Sequence, residues 1–125
     1  MPWSKEGKQR PTSDNFWNIG LGLMRRKNSR ASHATLTRQY ISFFGCEPVF
    51  IAILWCLLES SKWLQYDSSI QACHLLWALH FLKVYSTESV LAANMGCTER
   101  TFRDRVWFLL DGIARLDSIL VSTCM

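Results

Sequence analysis

No apolar run in this sequence approaches the roughly 20 residues needed to cross a bilayer. The longest, residues 49–58, holds ten, and its composition predicts a buried helix and no membrane association. The N-terminus lacks the apolar core of a secretory signal. The five cysteines are odd in number and scattered: Cys46, Cys56, Cys73, Cys97 and Cys124. None forms a Cys-x-x-Cys pair and no Cys/His spacing suits a zinc site, so thiols buried in a reducing compartment are expected, not a disulfide framework. Histidine is rare too. His74 and His80 stand six apart, on different faces of a helix, and with His33 they give no i,i+4 metal pair. A Cys–His pair built on Cys73 has nothing to orient it. No stretch sustains period-two alternation, which argues against a sheet, and there are no repeats or low-complexity tracts. The expectation is a protein that is not an enzyme, with no cofactor, metal or catalytic residue.

What is present is apolar mass and an uneven charge. Residues of the hydrophobic type make up 49% of 125, enough for one domain with a core. Residues 1–40 carry eight Lys/Arg against Glu6 and Asp14, a net of +6, while residues 41–125 carry six basic against eight acidic side chains, a net of −2. The basic excess belongs to the N-terminal part. Such a stretch attracts polyanions, and solvated basic tails that bind nothing specific have the same composition.

Residues 1–15 are polar, with Pro2, Gly7 and Pro11, and are expected to be disordered. In residues 16–24 large apolar side chains alternate with Gly20 and Gly22, which argues against a stable helix. Arg25, Arg26, Lys27 and Arg30 form a basic patch with two readings, a phosphate-contacting or nuclear-import segment and a plain solvated linker. A nuclear location follows from the first. Residues 1–33 thus read as a flexible basic arm.

Residues 34–121 read as a helical domain. A helix over 34–44 places Leu36, Tyr40, Ile41 and Phe44 on one face, with Gly45 as terminator. A second starts at Pro48, which suits a first helical turn, and runs to 58. Being apolar nearly all round, it is expected at the centre of the fold. After a polar connection over 60–69, a helix over 70–85 shows a stripe of Ala72, Leu75, Leu76, Leu79 and Leu82. Helices over 87–95 and from 99 to 116 or beyond complete the set. The predicted fold is all-α, a compact bundle of about five helices ending in a helix-turn-helix.

The last two helices carry the functional signal. Ala92 and Gly96 stand four apart; the first is small enough for a close helix crossing, and the second can end a helix in the left-handed conformation. Thr98 can cap the next helix, with Glu99 favourably placed against its dipole. In a helix-turn-helix the second helix enters the DNA major groove. At 100° per residue Phe102, Val106, Leu109, Leu110, Ile113 and Leu116 form its core stripe. The opposite side presents Arg100, Arg103, Asp104, Trp107 and Asp111. Arg100 and Arg103 could read guanine or clamp phosphate, and Thr98 and Thr101 could bond phosphate at the helix start. Asp104 would repel the backbone unless it pairs with Arg100. Trp107 reads as a DNA contact or a half-buried interface residue. The bland alternative is a solvated face of mixed charge.

Two ordered segments carry a family resemblance. One is His74-Leu75-Leu76-Trp77-Ala78-Leu79-His80-Phe81-Leu82-Lys83-Val84-Tyr85-Ser86-Thr87-Glu88, followed by Gly96-Cys97-Thr98-Glu99-Arg100-Thr101-Phe102-Arg103 and Val106-Trp107. The other is Phe43-Phe44-Gly45-Cys46-Glu47-Pro48 with Leu54-Trp55-Cys56-Leu57-Leu58. Together they resemble the N-terminal helix-turn-helix region of Harbinger-like DDE-superfamily transposases, over about residues 41–121. The resemblance implies double-stranded DNA resembling transposon ends as partner. It also implies a metal-dependent ribonuclease-H-like nuclease that would lie beyond residue 121, so no catalytic acid is assigned here. Arg105 departs from the family, which has an aromatic there, and should snorkel or weaken packing.

The leading expectation is a non-catalytic DNA-binding module, a truncated or recruited piece of a transposase, able to compete with a full-length enzyme. A helical interaction module is the alternative, self-associating or meeting that enzyme through Trp63, Trp77, Trp107 and Phe108. A decayed, non-functional fragment is the third.

Overall fold

A computed structural model describes residues 10–84 and 86–124, with side chains as far as Leu116. Among these the chain is all-helical: α1 (Ser13–Leu23), α2 (His33–Phe44), α3 (Pro48–Ser60), a 3-10 turn (Trp63–Tyr66), α4 (Ala72–Val84), α5 (Glu88–Met95) and α6 (Glu99–Cys124).

Helix α1 is where the sequence expectation needs correction. Residues 13–23 are not part of a flexible arm. Thr12 opens the helix with a reciprocal box: its hydroxyl accepts from the Asn15 N–H at 3.3 Å, and its own N–H donates to Asn15 Oδ1 at 2.8 Å. Phe16 is fully buried and Leu21 nearly so. The two glycines cost about 1 kcal/mol each in a helix interior. Burying Phe16 and Leu21 returns on the order of 2 kcal/mol apiece, and Gly20 in addition permits a close approach to α2. A Cβ there would collide with the Tyr40 ring. The arm reading is left with residues 1–9, outside the described part, and with the exposed linker between α1 and α2.

Ser32 caps α2, accepting from the Thr35 N–H at 3.2 Å, and Gly45 ends it at φ 92°. Tyr40 and Phe44 face inward and Leu36 and Ile41 are half-buried.

The expected centre of the fold also moves. In α3 only Ile51, Trp55 and Leu58 are buried, while Val49, Phe50, Ile53 and Leu57 stand exposed on the other side. The central helix is α4, in which Ala72, His74, Leu75, Leu76, Trp77, Ala78 and His80 are all buried. Leu82, expected in its core stripe, is 43% exposed. Apolarity does not decide this, since α3 is the more apolar of the two. What separates them is neighbours: α4 packs on α1, α2, α3, α5 and α6.

The connection over 60–69 holds a structural anchor. Trp63 stacks on Phe108 of α6 with centroids 5.0 Å apart and donates its indole N–H to the Phe108 carbonyl at 2.8 Å. Gly112, one helical turn on, leaves room for this indole.

Candidate nucleic-acid interface

Thr87 caps α5, its hydroxyl accepting from the Val90 N–H at 3.3 Å. Leu91 and Ala92 are buried against the bundle. The helix ends at Gly96, φ 75°, a conformation a side chain would resist. Two bonds close the end: the Cys97 N–H donates to the Ala92 carbonyl at 3.0 Å and the Gly96 N–H to that of Ala93 at 3.2 Å. Two residues later Thr98 caps α6, accepting from the Thr101 N–H at 3.1 Å. Phe102, Val106, Leu109 and Leu116 are buried, as the wheel places them, and Leu110 and Ile113 are half-buried. Phe102 sits against Trp77 and Phe81, with centroids 5.8 and 6.1 Å away. The start of α6 is therefore held rigidly while its other side faces solvent.

On that outer side the candidate residues differ in freedom. Arg100 is the most open, with 89% of its side chain exposed and its Nε 4.0 Å from Asp104 Oδ2. An exposed pair of that length is worth little. Thr98 and Thr101 lie beside it, joined by a hydroxyl–hydroxyl bond of 3.0 Å. Arg103 is engaged twice: its Nε lies 3.0 Å from Glu88 Oε1 and its Nη2 2.7 Å from Glu99 Oε2. Trp107 donates its indole N–H to Glu88 Oε2 at 2.6 Å and meets Phe81 edge-on, with centroids 5.7 Å apart. These bonds from Trp107 and then Arg103 hold the Glu88 carboxyl below the usual carboxylate range, against the opposing effect of burial.

Glu88 is the residue on this face whose contacts sequence reasoning does not reveal. It lies 15 residues before Arg103 and 19 before Trp107, beyond any helical spacing, so only the folded turn reveals the contact. Arg105 does not reach open solvent: its side chain is 28% exposed, its Nε is buried without a hydrogen-bond partner among the described residues, and its Nη1 lies 3.8 Å from Asp67 Oδ2. Of the four aromatics proposed for a partner surface, Trp77 is buried and Trp63 and Phe108 pack on each other. Only Trp107 is open.

Arg25, Arg26, Lys27 and Arg30 are exposed in the linker between α1 and α2. Arg25 takes the left-handed conformation, φ 61°, and the Arg26 N–H closes α1 onto the Leu21 carbonyl at 2.8 Å. None of the four makes an ion pair within the described residues. The linker's hydrogen bonds stay within itself and the end of α1.

The histidines have structural partners. His74 Nδ1 accepts from the Gln71 N–H at 2.9 Å at the start of α4; burial first, then Arg105, push its pKa down to about 4, and Asp67 opposes. His80 stacks flat on Phe43 at 3.8 Å and bonds the Phe43 carbonyl through Nδ1 at 2.9 Å. Cys46, Cys56, Cys73 and Cys97 are half-buried free thiols, and Cys124 lies outside the described side chains. Among the described residues no three His, Cys, Asp or Glu side chains converge on a point. No protein-family model, curated protein or solved structure matches this chain.

Proposed function

We propose that the chain is a non-catalytic module that binds double-stranded DNA through the first turns of α6, in the manner of the transposase N-terminal region its sequence resembles. The observation that carries this reading is Arg100: an almost fully exposed guanidinium on the outer side of a capped, rigidly seated helix start. A helix N-terminus favours phosphate, and an arginine there can bond guanine bidentately. Arg100 reads the base edge, Thr101 supports it at the backbone, and Asp104, 4.0 Å away, leaves Arg100 free to turn to the DNA.

Residues 99–111 contain three arginines and three acids, so the reading surface adds little net attraction. Affinity comes instead from Arg25, Arg26, Lys27 and Arg30, the basic excess of the chain. Phosphate contacts supply strength and base contacts supply choice. The location consistent with this role is the nucleus, and the ligand is a duplex of the transposon-end kind.

Selection of bound duplexes from a random pool tests the reading. Enrichment of a short motif is expected, and Arg100→Ala should relax one of its positions at a cost of about 1–3 kcal/mol. An unenriched pool would overturn it. A second reading, a helical assembly module, is favoured by the exposed Val49, Phe50, Ile53 and Leu57 on α3.

A further inference from the structure

Resting on the DNA-binding reading, the geometry points to Glu88 as a positioning residue that decides which guanidinium of α6 reaches DNA. It withholds Arg103 and Trp107 and leaves Arg100 as the reader. Both carboxylate oxygens of Glu88 are in use, Oε1 on Arg103 Nε at 3.0 Å and Oε2 on the Trp107 indole at 2.6 Å. The other arm of the Arg103 fork is taken by Glu99 at 2.7 Å. A phosphate approaching Arg103 therefore has to displace two carboxylates, whereas Arg100 has one loose partner at 4.0 Å. The charge-assisted bonds on Arg103, 3.0 and 2.7 Å long, hold it more firmly than that contact holds Arg100.

The restraint is built into the backbone. Glu88 is the first residue of α5, directly after the Thr87 cap, where the helix dipole favours a carboxylate. The far end of α5 is locked to α6 by the Gly96 turn. With both ends fixed, Glu88 spans the angle between the helices and lands on the side of α6 one turn beyond Arg100. A carboxylate there also repels phosphate, which narrows the usable DNA face to the first turn.

The test uses the intact chain. Glu88→Gln keeps an acceptor for Trp107 but removes the charge on Arg103. It should bind duplex DNA about threefold tighter at low salt, with a log–log salt slope steeper by about 0.9, the value of one added phosphate contact. The gain should vanish in Glu88→Gln/Arg103→Ala. An unchanged slope in Glu88→Gln overturns the inference. As a check that needs no variant, DNA is titrated against the native chain and the side-chain N–H resonances are followed by NMR. Arg100 should shift while Arg103 and Trp107 stay in place; a shift of Arg103 alongside Arg100 overturns it. A native chain that binds no DNA instead overturns the DNA-binding reading itself, which distinguishes the two failures.

Discussion

The ring of Tyr40 fills the space in which a side chain on Gly20 would stand, and its hydroxyl donates to the Phe16 carbonyl 2.9 Å away. This contact makes α1 part of the bundle. Gly20→Ala should destabilise the protein by about 1–3 kcal/mol through overpacking, although alanine is the better helix former. Gly22, with open space around it, should show the opposite: Gly22→Ala gains about 0.5–1 kcal/mol. Urea unfolding of the two variants checks the pair, and equal effects would contradict the placement of α1.

Among the described residues, two non-glycine positions hold left-handed backbones, Arg25 at φ 61° and Lys62 at φ 66°. Replacing either by glycine should relieve steric cost and raise stability by about 0.5–1 kcal/mol. Only Arg25→Gly should also weaken DNA binding, since Lys62 lies outside the basic linker. Thermal melts paired with binding curves separate the two consequences.

Acid should destabilise the fold in a defined window. His74 titrates at about 4 in the folded chain against an ordinary value of 6.5, so between these values the unfolded chain binds the extra proton. Its contribution is fully present above pH 6.5 and is lost as pH falls to about 4. His80 is shifted in the same direction by burial. Melting temperatures measured across pH 4–7 should fall toward acid, and His74→Gln should flatten the slope. An unchanged slope in that variant would remove His74 as the cause.

The exposed side of α3 is apolar without interruption at Val49, Phe50, Ile53 and Leu57. Contiguous patches of this kind bind hydrophobic dyes and partners. The chain should bind such a dye. Phe50→Glu/Ile53→Glu should abolish the signal without lowering the melting temperature, because neither side chain is in the core. A lowered melting temperature would show that this face packs internally.

Much of the fold is legible in the sequence, and the exceptions have physical causes. Among the described residues, five of the six α-helices follow from apolar periodicity and from end signals such as Gly45, Pro48, Gly96 and Thr98. The helix α1 does not, because Gly20 and Gly22 carry a local penalty that only the distant Tyr40 contact offsets. The relative depth of α3 and α4 is hidden for a related reason: α3 is apolar nearly all round and α4 shows a core stripe with two histidines, yet burial is decided by which helices surround them. At the candidate site the turn and the outward position of Arg100 are readable from helical spacing. The restraint that Glu88 places on Arg103 is not, since Glu88 approaches from another helix. Arg105 is a similar case, its partner Asp67 lying in a loop.

Phe16, in the helix just before the linker, is part of the core, so the linker's charge is removed in place by substitution. The most direct measurement is fluorescence-anisotropy binding to a mixed duplex pool across a salt series, with the native chain beside Arg100→Ala and Arg26→Ala/Lys27→Ala/Arg30→Ala. Binding should weaken steeply with salt. The linker variant should flatten the slope by about 0.9 for each phosphate it no longer neutralises, and Arg100→Ala should relax the sequence preference at the position it reads while leaving most of the salt dependence. Binding that is absent, or that depends on the linker alone and ignores Arg100, would contradict α6 as a DNA reader.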